Sequence, residues 1–227
     1  MTLKLSIITV HSGLINELEK TIRSIYPKLS HRVEHIIVAS ISEEQLDQLI
    51  RIGRQSVLLV NKDRSLYDAM NIGLRRAQGQ FVSFINSGDE LSHEIPFSDL
   101  INNVCLAYTP ALNLDNNTYI ATSSTLNHQN FIAPHDEDIA FNEDYGIFSD
   151  ALWMREMIQK HGVKYTGRQY ATFYYGGRST KPSLKQSIKN LRLDIFLLPR
   201  VKLVIKAIFV GVGLEWFNKV LLLKGYK

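Results

Sequence analysis

The feature that most constrains the fold is a regular alternation of strand-like and helix-like segments over the first ninety residues. Short apolar runs rich in β-branched residues occur at 3–10, 33–39, 56–60 and 81–85. The segments between them carry apolar residues at helical spacing, at 14–25, 43–52 and 66–77. Strands that alternate with helices run parallel in one sheet, because each helix crosses back over the sheet. The sequence therefore predicts an α/β fold with a mostly parallel sheet flanked by helices.

Length and cysteine content narrow the class of protein. A chain of 227 residues can bury a core without covalent staples. Its one cysteine, Cys105, has no partner for an internal disulfide bond, which favours a reducing compartment. The first residues lack the apolar stretch of a signal peptide, and no apolar run approaches the ~18 residues of a membrane-spanning helix. We therefore expect a cytoplasmic protein.

Basic charge is concentrated at the end of the chain. Residues 178–227 carry eleven Lys or Arg and two acidic residues, and apolar residues recur there at helical spacing. We expect residues 181–227 to form a basic amphipathic helical tail that docks on the anionic inner membrane surface. The alternative is a pair of helices packed on the body or on a second subunit. A basic tail on a mildly acidic body does not favour nucleic acid as a partner.

Polar residues follow the third strand, at the edge where a parallel sheet binds its ligands. Asp63 and Ser65 open the third helix, whose polar face carries Asp68 and Asn71. The free N–H groups of such a helix start can hold phosphate or ribose, and an Asp there can accept hydrogen bonds from a base or sugar. Capping of the helix by Asp63 and Ser65 is the structural alternative.

The fourth strand leads directly into Asn86-Ser87-Gly88-Asp89. Gly88 permits a tight turn, and the carboxylate of Asp89 is expected to project beyond the sheet edge. Mg²⁺ and Mn²⁺ prefer oxygen ligands and complete their coordination with waters and substrate phosphates, so one or two carboxylates can suffice. A plain polar turn is the alternative.

A further carboxylate, Asp150, falls in a predicted helix over 145–161. The apolar stripe of that helix consists of Ile147, Ala151, Met154 and Ile158. Asp150 lies beside the stripe, so we expect a partly desolvated carboxylate suited to general base catalysis. The alternative is an acidic residue that only stabilises the first turn through the helix dipole.

In this order, the motifs resemble the family 2 glycosyltransferases of the GT-A fold. Residues 5–10 are similar to their first strand, and residues 84–89 to the strand and turn that replace Asp-x-Asp. Residues 63–73 read Asp-Arg-Ser-Leu-Tyr-Asp-Ala-Met-Asn-Ile-Gly, similar to the family's Asp-x-Gly-Ile-Tyr-Asp-Ala-Met-Asn-x-Gly. Weaker similarities lie at His128-Gln129, Ser149-Asp150 and 173–180. The narrower resemblance is to bacterial members that assemble colanic acid, O-antigen and capsule repeat units.

What the resemblance implies is a GT-A, Rossmann-like domain that transfers a hexose with inversion from a UDP- or GDP-sugar to a hydroxyl group. The acceptor would be a lipid-linked glycan in bacterial surface polysaccharide biosynthesis, reached by peripheral association with the inner membrane. Residues 1–90 would form the nucleotide-sugar-binding half and residues 91–180 the acceptor-binding half. The sequence is also compatible with a homo-oligomer.

The resemblance also implies roles for single residues. Thr9 and Asp63 would contact the nucleoside. Asp89 would hold Mn²⁺ or Mg²⁺ on the diphosphate, and Asp150 would remove the acceptor proton. The remaining candidates for substrate binding are Asp68, Asn71, Asn86 and His128. For His128, which could position an acceptor or a phosphate, a structural histidine is the alternative.

Two departures from the family pattern keep other functions open. Ala39 stands where the family has a nucleotide-binding Asp, and Ser65 replaces the customary glycine. A lost hydrogen-bond partner costs about 1–3 kcal/mol, so donor binding could be weak. The alternatives are a non-catalytic, glycosyltransferase-like binding subunit and a nucleotidyltransferase. The loop His11-Ser12-Gly13 lacks the Gly-rich, basic character usual after the first strand of the latter class.

Overall fold

The structure, a computed structural model, describes residues 3–52, 56–60, 65–95, 97–114, 116–121 and 126–175. The strands within these ranges are β1 (Leu5–His11), β2 (Val33–Ala39), β3 (Val57–Val60), β4 (Phe81–Phe84), β5 (Glu90–Leu91), β6 (Cys105–Ala107), β7 (Ala111–Leu114), β8 (Asn117–Ile120), β9 (Phe131–Pro134), β10 (Val163–Tyr165) and β11 (Ala171–Tyr174). The α-helices are α1 (Ile15–Ile25), α2 (Glu43–Ile52), α3 (Leu66–Arg76) and α4 (Ser149–His161). Short 3₁₀ helices cover Tyr26–Lys28, His128–Asn130 and Glu143–Phe148.

Over the described ranges, the strands form two sheets. The larger has the order β10-β6-β9-β4-β1-β2-β3, and the smaller has the order β5-β11-β7-β8. In the larger sheet, β1 to β4 run parallel, as do β6 and β10, whereas β9 is antiparallel to both of its neighbours. The predicted α/β class with a mostly parallel, helix-flanked sheet is therefore confirmed.

The direction of winding changes at β1. The chain passes from β1 to β2 and β3 on one side, and α3 then returns it to β4 on the other side of β1. The carboxyl ends of β1 and β4 therefore border a crevice, which is where open parallel sheets bind ligands. His11 ends β1 at this crevice, and the turn that contains Asp89 follows β4.

Close packing holds α3 on the sheet beneath this crevice. Ala69, Met70 and Leu74 are buried on one side of the helix, as its periodicity predicts. At Gly73 a Cβ atom would lie 2.4 Å from Cγ2 of Ile8, so only glycine lets the helix approach β1 this closely. This contact sets how closely α3 packs on β1.

The element bounds follow the predicted ones closely in the first half of the chain and differ at α4. The strand Val33–Ala39 and the helix Glu43–Ile52 coincide with the predicted segments. The helix predicted over 145–161 instead begins at Ser149, because Gly146 has non-helical angles (φ 54°, ψ −129°) and kinks the 3₁₀ segment Glu143–Phe148 that precedes it. Asp150 thus lies in the first turn of α4.

The predicted tail at 181–227 lies outside the described residues. The proposed division at residues 90 and 180 stays a prediction. Among the residues that the structure describes, no helix is both long and apolar enough to cross a membrane.

Candidate active site

The turn after β4 is fixed in place by α1. Gly88 has a φ of +98°, the left-handed conformation that glycine adopts without strain. The hydroxyl of Thr21 in α1 accepts from the amide of Gly88 (3.0 Å) and donates to the carbonyl of Asp89 (2.7 Å). The expectation of a tight turn at Gly88 is confirmed, and the turn is anchored rather than loose.

Asp89 is buried at this turn, with 5% of its surface exposed. Its Oδ1 accepts from the amide of Tyr174 in β11 at 2.7 Å, and the side chain of Gln129 also donates to the carboxylate. Burial raises the pKa of Asp89 from 3.8 to about 7, and those hydrogen bonds, with the charge of Lys20, only partly oppose this rise. The carboxylate is therefore held in one orientation, and the charges in the described part of the chain do not offset its burial.

Asp150 is held by His128. The Nδ1 atom of His128 lies 2.8 Å from Oδ2 of Asp150, and Nε2 lies 3.0 Å from Nδ2 of Asn86. The Asn86 amide donates to Nε2, which places the ring proton on Nδ1, where it is donated to the carboxylate. Oδ1 of Asp150 accepts from the amide of Ala151. A hydrogen-bonded row thus joins Asp150 through His128 to Asn86.

Gln129 connects this row to Asp89. Its Oε1 accepts from the amide of Asn86 at 3.3 Å, while its side chain donates to Asp89. Asn86 and Asp89 belong to one turn, since the amide of Asp89 donates to the carbonyl of Asn86. The Oδ1 atom of Asn86 is buried and has no hydrogen-bond partner within the described residues. The two carboxylates are therefore parts of one polar cluster.

Tyr67 also lies close to Asp150. The tyrosine hydroxyl accepts from the backbone N–H of Asp150, and burial followed by the charge of Asp150 raises the pKa of Tyr67. Its ring stacks on Phe141 with centroids 5.7 Å apart. Tyr67 thus connects the start of α3 to the start of α4.

The start of α3 is capped as the structural alternative predicted. The hydroxyl of Ser65 accepts from the amide of Asp68 at 3.0 Å. Asn71 exchanges two hydrogen bonds of 2.8 Å with the backbone of Phe141, so its amide fastens the segment before α4 onto α3. Asp68 is half-buried, and Asp63 lies outside the described residues. These contacts give Ser65 and Asn71 structural partners close to the site.

Thr9 lies inside the protein. Its side chain is completely buried, and its hydroxyl lies 2.9 Å from Nε2 of His35, whose Nδ1 lies 2.9 Å from the hydroxyl of Ser56. Burial lowers the pKa of His35 from 6.5 to about 3, so the imidazole is neutral at physiological pH. The predicted contact of Thr9 with a nucleoside stays a prediction.

The crevice itself is bordered by His11. Its Nδ1 lies 2.8 Å from the hydroxyl of Ser87, across the gap between β1 and the turn after β4. The residue is 2% exposed, burial lowers its pKa, and its Nε2 has no hydrogen-bond partner within the described residues. Ala39 is the register partner of His11 on β2 and is fully buried in an apolar cluster. The carboxyl end of β2 thus offers no carboxylate at this position.

A divalent cation is compatible with Asp89 as a single protein ligand. Among the described residues, no group of three or more His, Cys, Asp or Glu could hold a metal ion. A buried carboxylate with a raised pKa does, however, gain from a nearby cation, which favours the charged form. Such a site would be completed by waters and by the phosphates of a bound nucleotide.

The structure therefore brings together four of the predicted site residues, Asn86, Asp89, His128 and Asp150. Sequence reasoning did not identify three others that contact them or border the crevice, Tyr67, Gln129 and His11. Tyr67 lies inside the matched Tyr-Asp-Ala-Met-Asn block and Gln129 follows His128 directly, so both carried a signal. The unpartnered nitrogen of His11 depends on tertiary packing and left no trace in the sequence.

Comparison with solved structures identifies the fold. Residues 1–349 of TarS from S. aureus, in complex with UDP, align over 88% of this chain and 68% of that chain, with a TM-score of 0.60 and 17% identity. The same TarS fragment in complex with UDP-GlcNAc aligns over 88% and 69%, with a TM-score of 0.52 and 16% identity. The mannosyltransferase PcManGT from Pyrobaculum calidifontis, in complex with GDP-Man and Mn²⁺, aligns over 92% and 70%, with a TM-score of 0.63 and 11% identity.

At these identities the likeness is one of fold. No protein-family model and no curated protein sequence matches the chain. The chain has the GT-A-like fold of these glycosyltransferases, which confirms the predicted fold class.

Proposed function

We propose that this protein is a glycosyltransferase that moves a sugar from a nucleotide-sugar donor to a hydroxyl acceptor. The observation that carries the proposal is the polar cluster at the carboxyl edge of the sheet. Within it, the buried carboxylate of Asp89 and the histidine-held carboxylate of Asp150 are joined through Asn86 and Gln129. The donor class is supported by the UDP, UDP-GlcNAc and GDP-Man found in the structural neighbours.

Each carboxylate has a distinct part in the proposed reaction. Asp150 accepts the proton of the acceptor hydroxyl while that oxygen bonds to the anomeric carbon. Attack from the face opposite the leaving group breaks the bond to the diphosphate oxygen, and the nucleoside diphosphate leaves with the electron pair. The configuration at the anomeric carbon is thereby inverted. The crevice between β1 and β4 aligns the two substrates.

We propose that Asp89 holds Mn²⁺ or Mg²⁺. When bound, the cation supplies a Lewis acid for the diphosphate, on which negative charge develops. The neighbour PcManGT is in complex with Mn²⁺, which supports a divalent metal. Asp89 itself is kept in position by the amide of Tyr174 and by Gln129.

The narrower parts of the proposal rest on the sequence. The resemblance to colanic acid, O-antigen and capsule enzymes supports transfer of a hexose to a lipid-linked glycan during surface polysaccharide biosynthesis. The basic tail at 181–227 supports peripheral association with the inner membrane, where such an acceptor is located. The same proposal includes four residues that bind the nucleotide-sugar donor, Thr9, Asp63, Asp68 and Asn71.

The direct test measures release of nucleoside diphosphate. The full chain is incubated with Mn²⁺, a panel of UDP- and GDP-sugars, and lipid-linked glycan acceptors. We expect one donor to release its nucleoside diphosphate faster when its acceptor is present, and we expect EDTA to abolish this release. The Asp150→Asn variant should release nucleoside diphosphate more than about 10²-fold more slowly, whereas Asp138→Asn, which alters an exposed carboxylate, should keep the wild-type rate.

Two other outcomes would replace the proposal. Release of pyrophosphate instead of nucleoside diphosphate would identify a nucleotidyltransferase. Absence of release with every donor and acceptor, while a nucleotide still binds, would identify a non-catalytic binding subunit. The second outcome is the one that the buried Ala39 would explain, because the end of β2 contributes no polar group there.

A further inference from the structure

We infer that His128 is a positioning residue for Asp150 and does not contact the substrate. This inference rests on the proposed function, because it assigns His128 a role within the proposed reaction. The sequence left His128 open between substrate binding and a structural role. In the structure, however, both ring nitrogens have protein partners, Asp150 Oδ2 at 2.8 Å and Asn86 Nδ2 at 3.0 Å.

The ring is held on both sides by groups of fixed position. Asn86 lies in the turn anchored to α1 by Thr21, and the backbone amide of Asn86 donates to the side chain of Gln129. Asp150 lies in the first turn of α4, and its Oδ1 accepts from the amide of Ala151. Only 15% of the His128 side chain is exposed, compared with 23% of the Asp150 side chain. The carboxylate is therefore the more open partner of the pair, as a group that meets the acceptor should be.

This arrangement has a consequence for the base. The hydrogen bond from Nδ1–H of His128 to Oδ2 fixes the orientation of the Asp150 carboxylate. The side-chain amide of Asn86 donates to Nε2 and so fixes the tautomer that carries the proton on Nδ1. Because Asn86 and Asp89 share one turn, the orientation of the base depends on the turn that carries the proposed cation ligand. A misplacement of about 1 Å in such a group can cost about 10²-fold in rate.

Two substitutions distinguish the contact made by Nδ1 of His128 from the contact made by Nε2. The side-chain amide of asparagine reaches about as far as Nδ1, so His128→Asn can keep a donor for Asp150 while losing the contact with Asn86. Glutamine reaches about as far as Nε2, so His128→Gln keeps the contact with Asn86 and loses the donor. We expect kcat to fall about 10- to 100-fold in His128→Gln and in His128→Ala, and by less than about 5-fold in His128→Asn. The KM values for donor and acceptor should change by less than about 3-fold in all three variants.

A matched control lies at the other end of the same helix. His161 is the last residue of α4 and forms a second His–Asp pair, with Nε2 2.7 Å from Oδ2 of Asp136. His161→Asn should leave kcat and both KM values unchanged. In the Asp150→Asn background, His128→Ala should cause no further loss, because a positioning residue acts only through the group it positions. A raised KM with unchanged kcat, or an additive loss in the double variant, would overturn the inference.

A second readout does not need activity. Long-range ¹H–¹⁵N NMR of the histidine rings should show the proton of His128 on Nδ1 in the wild-type protein, and Asp150→Ala should change that signal while His161 keeps its own. A proton found on Nε2 in the wild-type protein would overturn the inference whatever the activity. If the wild-type protein releases no nucleoside diphosphate, the proposed function fails, and the NMR signal alone decides the pairing of His128 with Asp150.

Discussion

The burial of Asp89 should make the stability of the protein depend on pH in a direction opposite to that of most acidic residues. The folded protein retains the Asp89 proton up to pH about 7, whereas the unfolded chain releases it near 3.8. Between these values the free energy of unfolding falls as the pH rises, by up to about 1.4 kcal/mol per pH unit. The full cost of ionising the buried carboxylate is about 4 kcal/mol, of which about 3 kcal/mol falls between pH 5 and pH 8.

Asp89→Asn removes this ionisation and keeps an oxygen that can accept from the amide of Tyr174. Urea unfolding of both proteins in EDTA at pH 5 and pH 8 isolates the effect, because other titrations cancel in the difference. The variant should gain about 3 kcal/mol relative to wild type between the two pH values. The exposed control Asp138→Asn should stay within about 0.5 kcal/mol of wild type at both. An equal difference between wild type and Asp89→Asn at both pH values would refute the reasoning.

Three further predictions concern the base, the interior and the tail. Asp150→Ala should lower kcat by more than about 10²-fold, measured as nucleoside diphosphate release; a smaller loss would exclude its role as general base. His35 has a pKa of about 3 in the folded protein, so it should destabilise the protein at acid pH. Relative to His35→Gln, the free energy of unfolding of the wild-type protein should fall by about 2 kcal/mol from pH 7 to pH 5. A constant difference between the two proteins would contradict the burial of His35. The full chain should float with anionic liposomes and a chain ending at Lys181 should not, whereas equal flotation would defeat membrane docking by the tail.

Much of the fold follows from local patterning. The strand Val33–Ala39 and the helix Glu43–Ile52 were predicted with their observed bounds, because each buries a continuous run or stripe of apolar residues. The start of α4 was misplaced, because a hydrophobic stripe cannot show that Gly146 adopts a left-handed φ. Helix propensity around a single glycine is a weak guide when tertiary contacts decide the backbone.

The candidate site was only partly predictable. The turn at Gly88 and the carboxylates of Asp89 and Asp150 are motif residues, and the order of the strands explains why they lie at one edge of the sheet. The burial of Asp89 depends on β11, in which the amide of Tyr174 donates to the Asp89 carboxylate although the two residues are 85 positions apart in the chain. The row from Asp150 through His128 likewise depends on side-chain directions that sequence spacing does not specify.

The contacts of Thr9 show a second limit. Alternation along β1 places its side chain on one face of the sheet, but the parallel register with β2 decides that it meets His35. That register sets residues from distant parts of the chain side by side, so the polar pair inside the protein could not be inferred from either segment alone. The same register brings Ala39 beside His11.

A crystal structure with Mg²⁺ and UDP or GDP tests the central claim most directly. The account predicts that the nucleotide lies in the crevice between the carboxyl ends of β1 and β4. The cation should lie about 2.1 Å from a carboxylate oxygen of Asp89, and the diphosphate of the nucleotide should complete the coordination of the cation. A nucleotide bound elsewhere, or a cation that does not touch Asp89, would contradict it.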